Sequence, residues 1–329
     1  MIQYSIVVPA YNAVNVLPRC LAALTQQSVD RSHYEIIVVD DGSTDETVTV
    51  AEQAGVNVIR AAHGGPAAAR NAGAHAARGQ LLLFTDADCE PARDWVERMA
   101  RAFVDPGVAG AKGVYRTRQA SLVARFVQQE YQDKYDRMLG RVTIDFIDTY
   151  SAAYRRDIFL RSGGFDTAYP TASVEDQEFS FRLTALGYRL VFAPDAIVNH
   201  QHDATLSEYL RRKYGIGYWK ALLLRRHPDK AVRDSHTPQV IKVQLGLLAA
   251  TIVMTFLTMF VRGLAGWLAG SWLLLLATML PLLLKVARRD PAVLPIAPIL
   301  IMLRALGLGL GLLIGVFRFG LRPTPAHAR

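Results

Sequence analysis

Short apolar runs alternate with helix-like segments through the first part of the chain. The runs at residues 5–8, 36–39 and 81–85 are typical of buried β-strands. Ser43 or Thr44 can cap a helix after the second run, and residues 67–73 have a helical character before the third. The order strand, helix, strand, helix, strand predicts a parallel sheet in an α/β domain.

Carboxylates follow two of these predicted strands. Asp40 and Asp41 come at the end of the second run, and Asp86-Ala87-Asp88 follows the third. In an open α/β sheet, ligands bind beyond the carboxyl ends of the strands. Two carboxylates one residue apart point the same way and can share a divalent cation through oxygen ligands. The pattern therefore predicts a cation-assisted site at this edge of the sheet.

The last third of the chain has a different hydropathy pattern. Residues 243–261 and 263–284 contain no charged side chain and are predominantly apolar. At about 1.5 Å per residue, each run is long enough to cross a hydrocarbon core of about 30 Å. A third run, residues 292–317, is interrupted by Arg304 and rich in glycine. It either spans the membrane or lies at the interface, and the pattern leaves both open.

Charge is distributed unevenly. Residues 1–204 contain 20 Lys/Arg and 25 Asp/Glu, whereas residues 205–329 contain 17 and 4. The basic residues flank the apolar runs, which favours anionic lipid over nucleic acid as the partner. They precede the first run and follow the second, and Arg262 alone lies between, so a hairpin entered from the cytoplasm is expected. If the third run also spans, Arg318 ends outside, against the positive-inside rule.

Residues 207–226 interleave aromatic and basic side chains. This mixture suits a helix on a membrane surface, or an ordinary amphipathic helix on a globular domain. The chain opens on a strand without a signal-peptide pattern, so the first part is expected in the cytoplasm. We predict a cytoplasmic domain over residues 1–235, which includes this segment, and a membrane region over residues 236–329. The expected location is the inner or plasma membrane, with several passes.

The chain resembles a family 2 glycosyltransferase with the GT-A fold. Six motifs occur in the order and at roughly the spacing of that family. They are Val8-Pro9-Ala10-Tyr11-Asn12, Val39-Asp40-Asp41-Gly42-Ser43-Thr44-Asp45, Ala69-Arg70-Asn71-Ala72-Gly73, Asp86-Ala87-Asp88, Gly163-Gly164-Phe165-Asp166, and Glu175-Asp176 with Arg182 downstream. The resemblance implies an α/β nucleotide-sugar-binding fold with a Rossmann-like mixed sheet, followed here by a transmembrane helical region. It also implies inverting sugar transfer from a nucleoside diphosphate sugar with Mg²⁺ or Mn²⁺.

The resemblance implies a donor site in the first three motifs and Asp86. Asp40 would accept a hydrogen bond from the nucleobase, and Tyr11, next to Pro9 and Ala10, would pack on the base or form a core-edge aromatic. Arg70 would approach the base or the phosphates, or else serve as a solvated charge or ion pair. Asp86 would contact the ribose or the metal shell. The residues predicted to bind the donor are Pro9, Tyr11, Asp40, Arg70 and Asp86.

The resemblance also assigns the metal and the chemical step. Asp88 would coordinate the divalent cation, and Asp176 would act as the general base that takes the acceptor proton. Glu175 would support Asp176. His200 could reach the diphosphate or the metal, or be structural. Asp41 and Arg182 have uncertain roles, and Asp45 is interpreted as a cap of the following turn and helix.

The acceptor is predicted only by class. Processive members of the family carry a Gln-x-x-Arg-Trp motif, and the corresponding stretch, residues 211–219, lacks it. Addition of a single sugar to a lipid-linked or membrane-proximal acceptor is therefore expected. Two rival interpretations are a nucleotidyltransferase, which would usually open with a glycine-rich phosphate loop, and a non-catalytic membrane scaffold, which would be expected to lack one of the carboxylates.

Overall fold

The computed structural model describes residues 1–171, 173–231 and 237–320. They form two compact units. The first contains Met1–Arg118 and Tyr135–His202, and the second contains Gln119–Lys134 and the chain from Asp203 onward. The domain boundary predicted between residues 235 and 236 lies outside the described residues.

The first unit is built on a mixed sheet of eight strands. These are β1 (Tyr4–Ala10), β2 (Tyr34–Asp40), β3 (Asn57–Arg60), β4 (Leu81–Phe84), β5 (Cys89–Pro91), β6 (Val108–Arg116), β7 (Ala152–Arg155) and β8 (Arg189–His200). Their order in the sheet is β3-β2-β1-β4-β7-β6-β8-β5. The strands β1 to β4 run parallel, β7 is antiparallel to β4 and β6, and β8 is parallel to β6.

Six helices complete this unit, and a seventh enters it. They are α1 (Leu17–Thr25), α2 (Thr47–Gln53), α3 (Pro66–Ala76), α4 (Trp95–Arg101), α6 (Arg156–Arg161) and α7 (Glu175–Ala185); α5 (Leu122–Met138) begins in the second unit and ends in the first. The parallel sheet predicted from the three apolar runs is confirmed for β1, β2 and β4.

Pro9 lies inside β1 and does not end it. Its register partner is Val39 of β2, whereas β4 pairs with β1 only as far as Val7 opposite Phe84. Proline lacks the N–H that a central strand needs for its ladder. Because β4 has already ended where Pro9 lies, the missing N–H removes no bond on that side.

An aromatic cluster fills the core beneath the centre of the sheet. Phe84 contacts Phe159 and Phe165 at ring-centroid distances of 5.3 and 5.5 Å, and Phe165 contacts Phe179 at 5.2 Å. Most of these rings meet at steep angles, the arrangement that the ring quadrupole favours. Since Phe179 belongs to α7, the cluster holds the first turns of that helix against β4.

The second unit is helical in its described residues. Besides the first part of α5, it contains α8 (Leu206–Arg226), α9 (Gln239–Thr258), α10 (Ala265–Ala277), α11 (Leu280–Arg289) and α12 (Ala297–Gly320). The apolar run 263–284 is therefore divided between two helices. Pro281 lies in the first turn of α11. It cannot donate a hydrogen bond and would clash with the carbonyl one turn earlier, so the helix ends and restarts before it.

Three helical stretches in the described chain are long and apolar enough to cross a membrane: Gln239–Thr258, Arg262–Arg289 and Ala297–Gly320. Large apolar side chains on the first two stretches are exposed, among them Phe256, Trp267 and Leu273. A large apolar surface exposed to water would drive the protein to associate with other apolar surfaces. The arrangement is consistent with association of this part of the chain with a membrane.

Candidate active site

The topology brings most of the predicted site residues to one edge of the sheet. Strands β1, β2, β4, β6 and β8 point their carboxyl ends in the same direction, because each is parallel to a neighbour or separated from it by the antiparallel β7. The amino end of β7, preceded by residues 147–151, reaches the same edge. Asp40, Asp86 and His200 all lie there, each at or just beyond a strand end.

The first group of site residues lies beyond β1 and β2. Asp40 is buried, and both of its carboxylate oxygens accept from the Ser43 N–H, at 3.2 and 3.3 Å. Tyr11 is half exposed and packs against His63 at a centroid distance of 4.5 Å. Hence a carboxylate acceptor and an accessible aromatic pair lie beyond neighbouring strand ends, a combination suited to a planar base. The sequence analysis did not identify His63.

Asp41 organises the loop that carries His63. Its two carboxylate oxygens accept from the N–H groups of Gly64 and Gly65, at 2.8 and 3.0 Å, and one of them lies 3.0 Å from His63 Nδ1. Gly65 has φ of 86°, and a Cβ at that position would overlap the Pro170 carbonyl oxygen. Asp41 therefore has a positioning role. Asp45 accepts from the N–H and the hydroxyl of Thr47 at the start of α2, as expected of a cap.

Arg70 links the two acidic motifs. Its Nη2 donates to Asp86 Oδ1 at 2.7 Å and its Nη1 to Glu175 Oε1 at 3.0 Å, and the side chain is 2% exposed. Burial alone would lower its pKa, but Asp86 and Glu175 outweigh burial and raise it. Arg70 is thus a permanent cation that holds α7 against the end of β4. The ion pair that was one alternative for Arg70 is present in the structure, and its predicted contact with the donor stays a prediction.

Asp88 and His200 form a candidate cation site. His200 Nε2 lies 3.5 Å from Asp88 Oδ2, and the Cys89 thiol belongs to the same cluster, whose ligand atoms are all within 4.8 Å of one another. His200 is held by ring contacts with Tyr150 and by a contact between its Nδ1 and that of His202, at 3.2 Å. Burial raises the pKa of the Cys89 thiol, so an oxygen and an imidazole nitrogen are the better donors.

Asp176 lies in the first turn of α7 and is almost completely enclosed by other residues. Its side chain is buried, and Oδ1 accepts from the Gln177 N–H at 2.7 Å. Burial, followed by the charges of Glu175 and Asp148, raises the pKa of Asp176 well above its ordinary value, and Arg70 opposes this only in part. A carboxylate with a raised pKa is a stronger base, the property required for removing a hydroxyl proton. Glu175 is buried and occupied by Arg70 and the Ser173 N–H, in keeping with a supporting role.

Arg182 lies near the other end of α7 and is occupied with the backbone. It donates to the carbonyl oxygens of Ser162 and Gly164 and pairs with Glu178. The amide of Asn71 holds the same loop from α3, by donating to the Phe165 carbonyl and accepting from its N–H. Gly164 has φ of 64°, a conformation that glycine adopts without strain. Arg182 and the Gly-Gly-Phe motif therefore fix the loop at residues 162–165 against α7.

A buried ion pair near Asp176 was not predicted. Lys112, inside β6, pairs with Asp148 in the segment before β7, and both side chains are buried. The same segment donates from the Ile147 N–H to Ser180 Oγ, and Ser180 Oγ donates to the Asp176 carbonyl oxygen. Tyr150, two residues after Asp148 in this segment, packs on His200. The segment therefore connects α7 to the candidate cation site. The signal in the sequence is a single lysine inside a buried apolar strand.

Removing one member of this pair should destabilise the first unit. Lys112→Met leaves the Asp148 carboxylate buried without its partner, which typically costs about 3–5 kcal/mol. The matched control is Lys112→Met combined with Asp148→Asn, which removes both charges and should recover most of the loss. Chemical unfolding of the chain in detergent measures both. Equal stability of the single and double variants would show that the pair has no such role.

Comparison with known proteins identifies the family. Residues 5–162 match the family model described as glycosyl transferase family 2. Glycosyltransferase AglE of Haloferax volcanii is 29% identical over 229 residues, which are 65% of this chain and 71% of that protein. The pre-mycofactocin glycosyltransferase of Mycobacterium tuberculosis is 30% identical over 261 residues, 76% of this chain. The chain spans about half, 52%, of that mycobacterial protein.

A solved structure has the same fold. The mannosyltransferase PcManGT from Pyrobaculum calidifontis, in complex with GDP-Man and Mn²⁺, superposes with a TM-score of 0.60 at 19% identity, over 96% of this chain and 88% of that one. At this identity the likeness concerns the fold. The mixed sheet, the carboxylates at its edge, the family match and these relatives lead to one conclusion: the chain belongs to family 2 of the glycosyltransferases, and its first unit has the GT-A fold.

Proposed function

We propose that this glycosyltransferase moves a single sugar from a nucleoside diphosphate sugar to a lipid-linked or membrane-proximal acceptor, with inversion at the anomeric carbon. The observation that carries the proposal is the Arg70 bridge. It joins Asp86, in the donor motif, to Glu175, the residue beside Asp176, with bonds of 2.7 and 3.0 Å. Arg70 thus fixes the position of Asp86, which is proposed to contact the sugar donor, relative to Asp176, which is proposed to act as the base.

The donor nucleotide binds beyond β1 and β2. Asp40 accepts a hydrogen bond from the base, and Tyr11 with His63 provides an aromatic surface for it. Asp86 turns toward Arg70 and presents its second carboxylate oxygen to the ribose. The solved mannosyltransferase of the same fold holds GDP-Man, which supports a nucleoside diphosphate sugar as the donor class.

A divalent cation, Mn²⁺ or Mg²⁺, is part of the proposal. Asp88 and His200 fit it, because a carboxylate oxygen and an imidazole nitrogen lie 3.5 Å apart and the imidazole is oriented by Tyr150 and His202. When bound there, a divalent cation would supply positive charge for the diphosphate leaving group. The solved neighbour contains Mn²⁺.

Asp176 performs the proton transfer. The acceptor hydroxyl oxygen forms a bond to the anomeric carbon as the bond from that carbon to the diphosphate oxygen breaks. The hydroxyl proton passes to the Asp176 carboxylate, and the nucleoside diphosphate leaves with the bonding electron pair. Attack from the face opposite the leaving group inverts the configuration. The raised pKa of Asp176 makes its carboxylate a competent acceptor for that proton.

Membrane association supports the acceptor class. The apolar α9 and the α10–α11 pair are flanked by basic residues, with Arg262 between them. By the positive-inside rule, this pattern supports a cytoplasmic location of the catalytic unit. An anchored enzyme encounters acceptors held at the same membrane at a high effective concentration. Because residues 211–219 lack the Gln-x-x-Arg-Trp motif, addition of one sugar is the favoured outcome.

A donor screen tests the proposal. The full chain in detergent is titrated calorimetrically with uridine, guanosine, cytidine and thymidine diphosphates and their sugars, with and without Mn²⁺. At least one nucleoside diphosphate should bind more tightly when Mn²⁺ is present, and the matching nucleotide sugar should be turned over with a membrane lipid extract. Binding of free nucleotide triphosphates with release of pyrophosphate would instead support a nucleotidyltransferase. Failure of all donors would contradict the proposed activity.

A further inference from the structure

The helix α12 is apolar enough to cross a membrane, but one of its faces follows α8 closely. The Tyr209 hydroxyl of α8 donates to the Leu300 carbonyl of α12 at 3.4 Å, near the start of both helices. Arg225, near the end of α8, donates to the Phe319 carbonyl near the end of α12. The two helices therefore run in the same direction and stay together over most of their length.

Glycines bring the two backbones into direct contact. A methyl group on Gly311 of α12 would overlap the Tyr214 carbonyl oxygen, and one on Gly315 would lie 2.7 Å from Ala221 Cβ. From the other side, a methyl group on Gly217 of α8 would lie 3.0 Å from the Leu308 Cα. Small residues at such positions permit close helix packing. With no space between them, α8 and α12 must share one orientation relative to the membrane.

The side chains of α8 do not suit the interior of a bilayer. Its charged residues are Glu208, Arg211, Arg212, Lys213, Lys220, Arg225 and Arg226. If α12 crossed the hydrocarbon, α8 would cross beside it and take these charges along. Charges at the centre of a bilayer are costly and rare. The packing thus argues against a third span.

Arg304 of α12 is neutralised within the second unit. Its Nη1 donates to Glu130 Oε1 at 2.8 Å and its Nη2 to Gln244 Oε1 at 2.9 Å, and Lys213 pairs with the other Glu130 oxygen at 2.8 Å. Burial would raise the pKa of Glu130, but Lys213 and Arg304 outweigh it and lower that pKa to about 2. Gln244 lies in the first turns of α9, so the first third of α12 meets the beginning of that helix.

The opposite face of α12 is an exposed apolar stripe. Ile299, Leu306, Leu310, Leu313 and Phe317 are exposed at helical spacing, while Arg304, Gly307, Gly311 and Gly315 are buried on the other side. One face toward a basic helix and one toward apolar surroundings is the pattern of a helix at a membrane interface. The helices α9 and α10 also carry exposed apolar side chains, whose expected partner is lipid.

We propose that α12 does not cross the membrane but lies in its surface plane, with the Ile299–Phe317 stripe in the acyl layer and α8 at the level of the headgroups. Only the α9 to α11 hairpin then enters the bilayer deeply. Arg318 stays on the same side as the basic residues of α8, and the conflict with the positive-inside rule disappears. This inference rests on the membrane association proposed above and is independent of the donor and the chemical step.

The topology of the full chain tests the inference. Each terminus carries, in separate experiments, a fluorescent protein that folds only in the cytoplasm and alkaline phosphatase that is active only outside it. Both termini should fluoresce and neither phosphatase fusion should be active. Phosphatase activity at the carboxyl terminus with fluorescence at the amino terminus would overturn the inference. Because each location yields a positive signal, loss of one fusion does not leave the result open.

A depth measurement provides a second, independent readout. Single nitroxide labels replace Ile299, Leu306 and Leu313 in the full chain, reconstituted in vesicles of phosphatidylcholine and phosphatidylglycerol. A helix in the surface plane places all three at similar depths. A spanning helix would spread them over about 20 Å, at about 1.5 Å per residue, and that spread would overturn the inference. Labels at Val243 and Val253 of α9 are the matched control and should differ in depth by several ångströms. Equal depths of the two labels on α9 would contradict the proposed membrane anchoring and not the inference about α12.

Discussion

Asp176→Asn is expected to reduce turnover by about 10²–10⁴-fold, the range typical of general bases. Asparagine keeps the size and can still accept from the Gln177 N–H, but it cannot take a proton. Donor affinity should change little, because the proposed donor contacts are on Asp40, Asp86 and Asp88. Steady-state transfer assays and nucleotide calorimetry on the same preparations measure the two quantities. Near wild-type turnover would assign the base to another residue.

The pH dependence offers a separate check on Asp176. Its pKa is raised by burial, Glu175 and Asp148, with Arg70 opposing, so the protonated and inactive form persists to a higher pH than for an ordinary carboxyl group. Turnover of the native chain should fall as the pH decreases through that raised pKa. The residual turnover of Asp176→Asn should not show this decrease at low pH.

Stability gives the control for misfolding. The unfolded chain loses the Asp176 proton at a lower pH than the folded chain, so folding stability decreases as pH rises between the two pKa values. Above both values the full cost of the buried carboxylate remains. Asp176→Asn removes that cost and should melt no lower than the native protein at neutral pH. A lower melting temperature would indicate that the lost turnover has a structural cause.

Asp88→Ala is expected to weaken Mn²⁺-dependent binding of the donor nucleotide and to abolish transfer. Loss of a residue that only orients a metal ligand already costs about 10–100-fold in metal affinity or activity, so loss of the ligand itself should cost no less. Calorimetry with the cognate nucleoside diphosphate and Mn²⁺ measures binding apart from turnover. Excess chelator should reproduce the effect in the native chain.

The matched control for this variant is Asp195→Ala. Asp195 is an exposed carboxylate on β8, the strand that also carries His200. Asp195→Ala removes one negative charge, as Asp88→Ala does, but at a position away from the Asp88–His200 pair. It should therefore leave nucleotide binding and transfer unchanged. His200→Ala should resemble Asp88→Ala. Full transfer by Asp88→Ala, or in excess chelator, would exclude the proposed cation site.

The sequence motifs predicted where the site residues lie in the sheet, but they predicted only some of the contacts between those residues. The edge of the sheet that carries Asp40, Asp86 and Asp88 follows from apolar runs ending in carboxylates. The pairing of Asp88 with His200 does not, because the two are brought together by β8, which lies next to β5 across the sheet from β4. Arg70 had several open roles, and only the positions of α3 and α7 show that it lies between Asp86 and Glu175.

Residues without a motif were inaccessible to sequence reasoning. Lys112 and Asp148 are 36 positions apart, and neither is part of a pattern that predicts an ion pair. They meet because β6 pairs with β7, which places Lys112 opposite Ala152 and so beside the segment before β7. His63 is likewise brought to Tyr11 by the loop that Asp41 holds.

By itself, the sequence determined the α/β unit, its family and the presence of helices apolar enough to enter a membrane, since each depends on local hydropathy and on short motifs. The contacts of α12 depend on more than hydropathy. Its composition suits a membrane span, and only its tertiary packing shows that its glycine face lies directly against the charged α8. Hydropathy describes one helix at a time, whereas the free energy of placing a helix in a bilayer includes every charged helix packed against it.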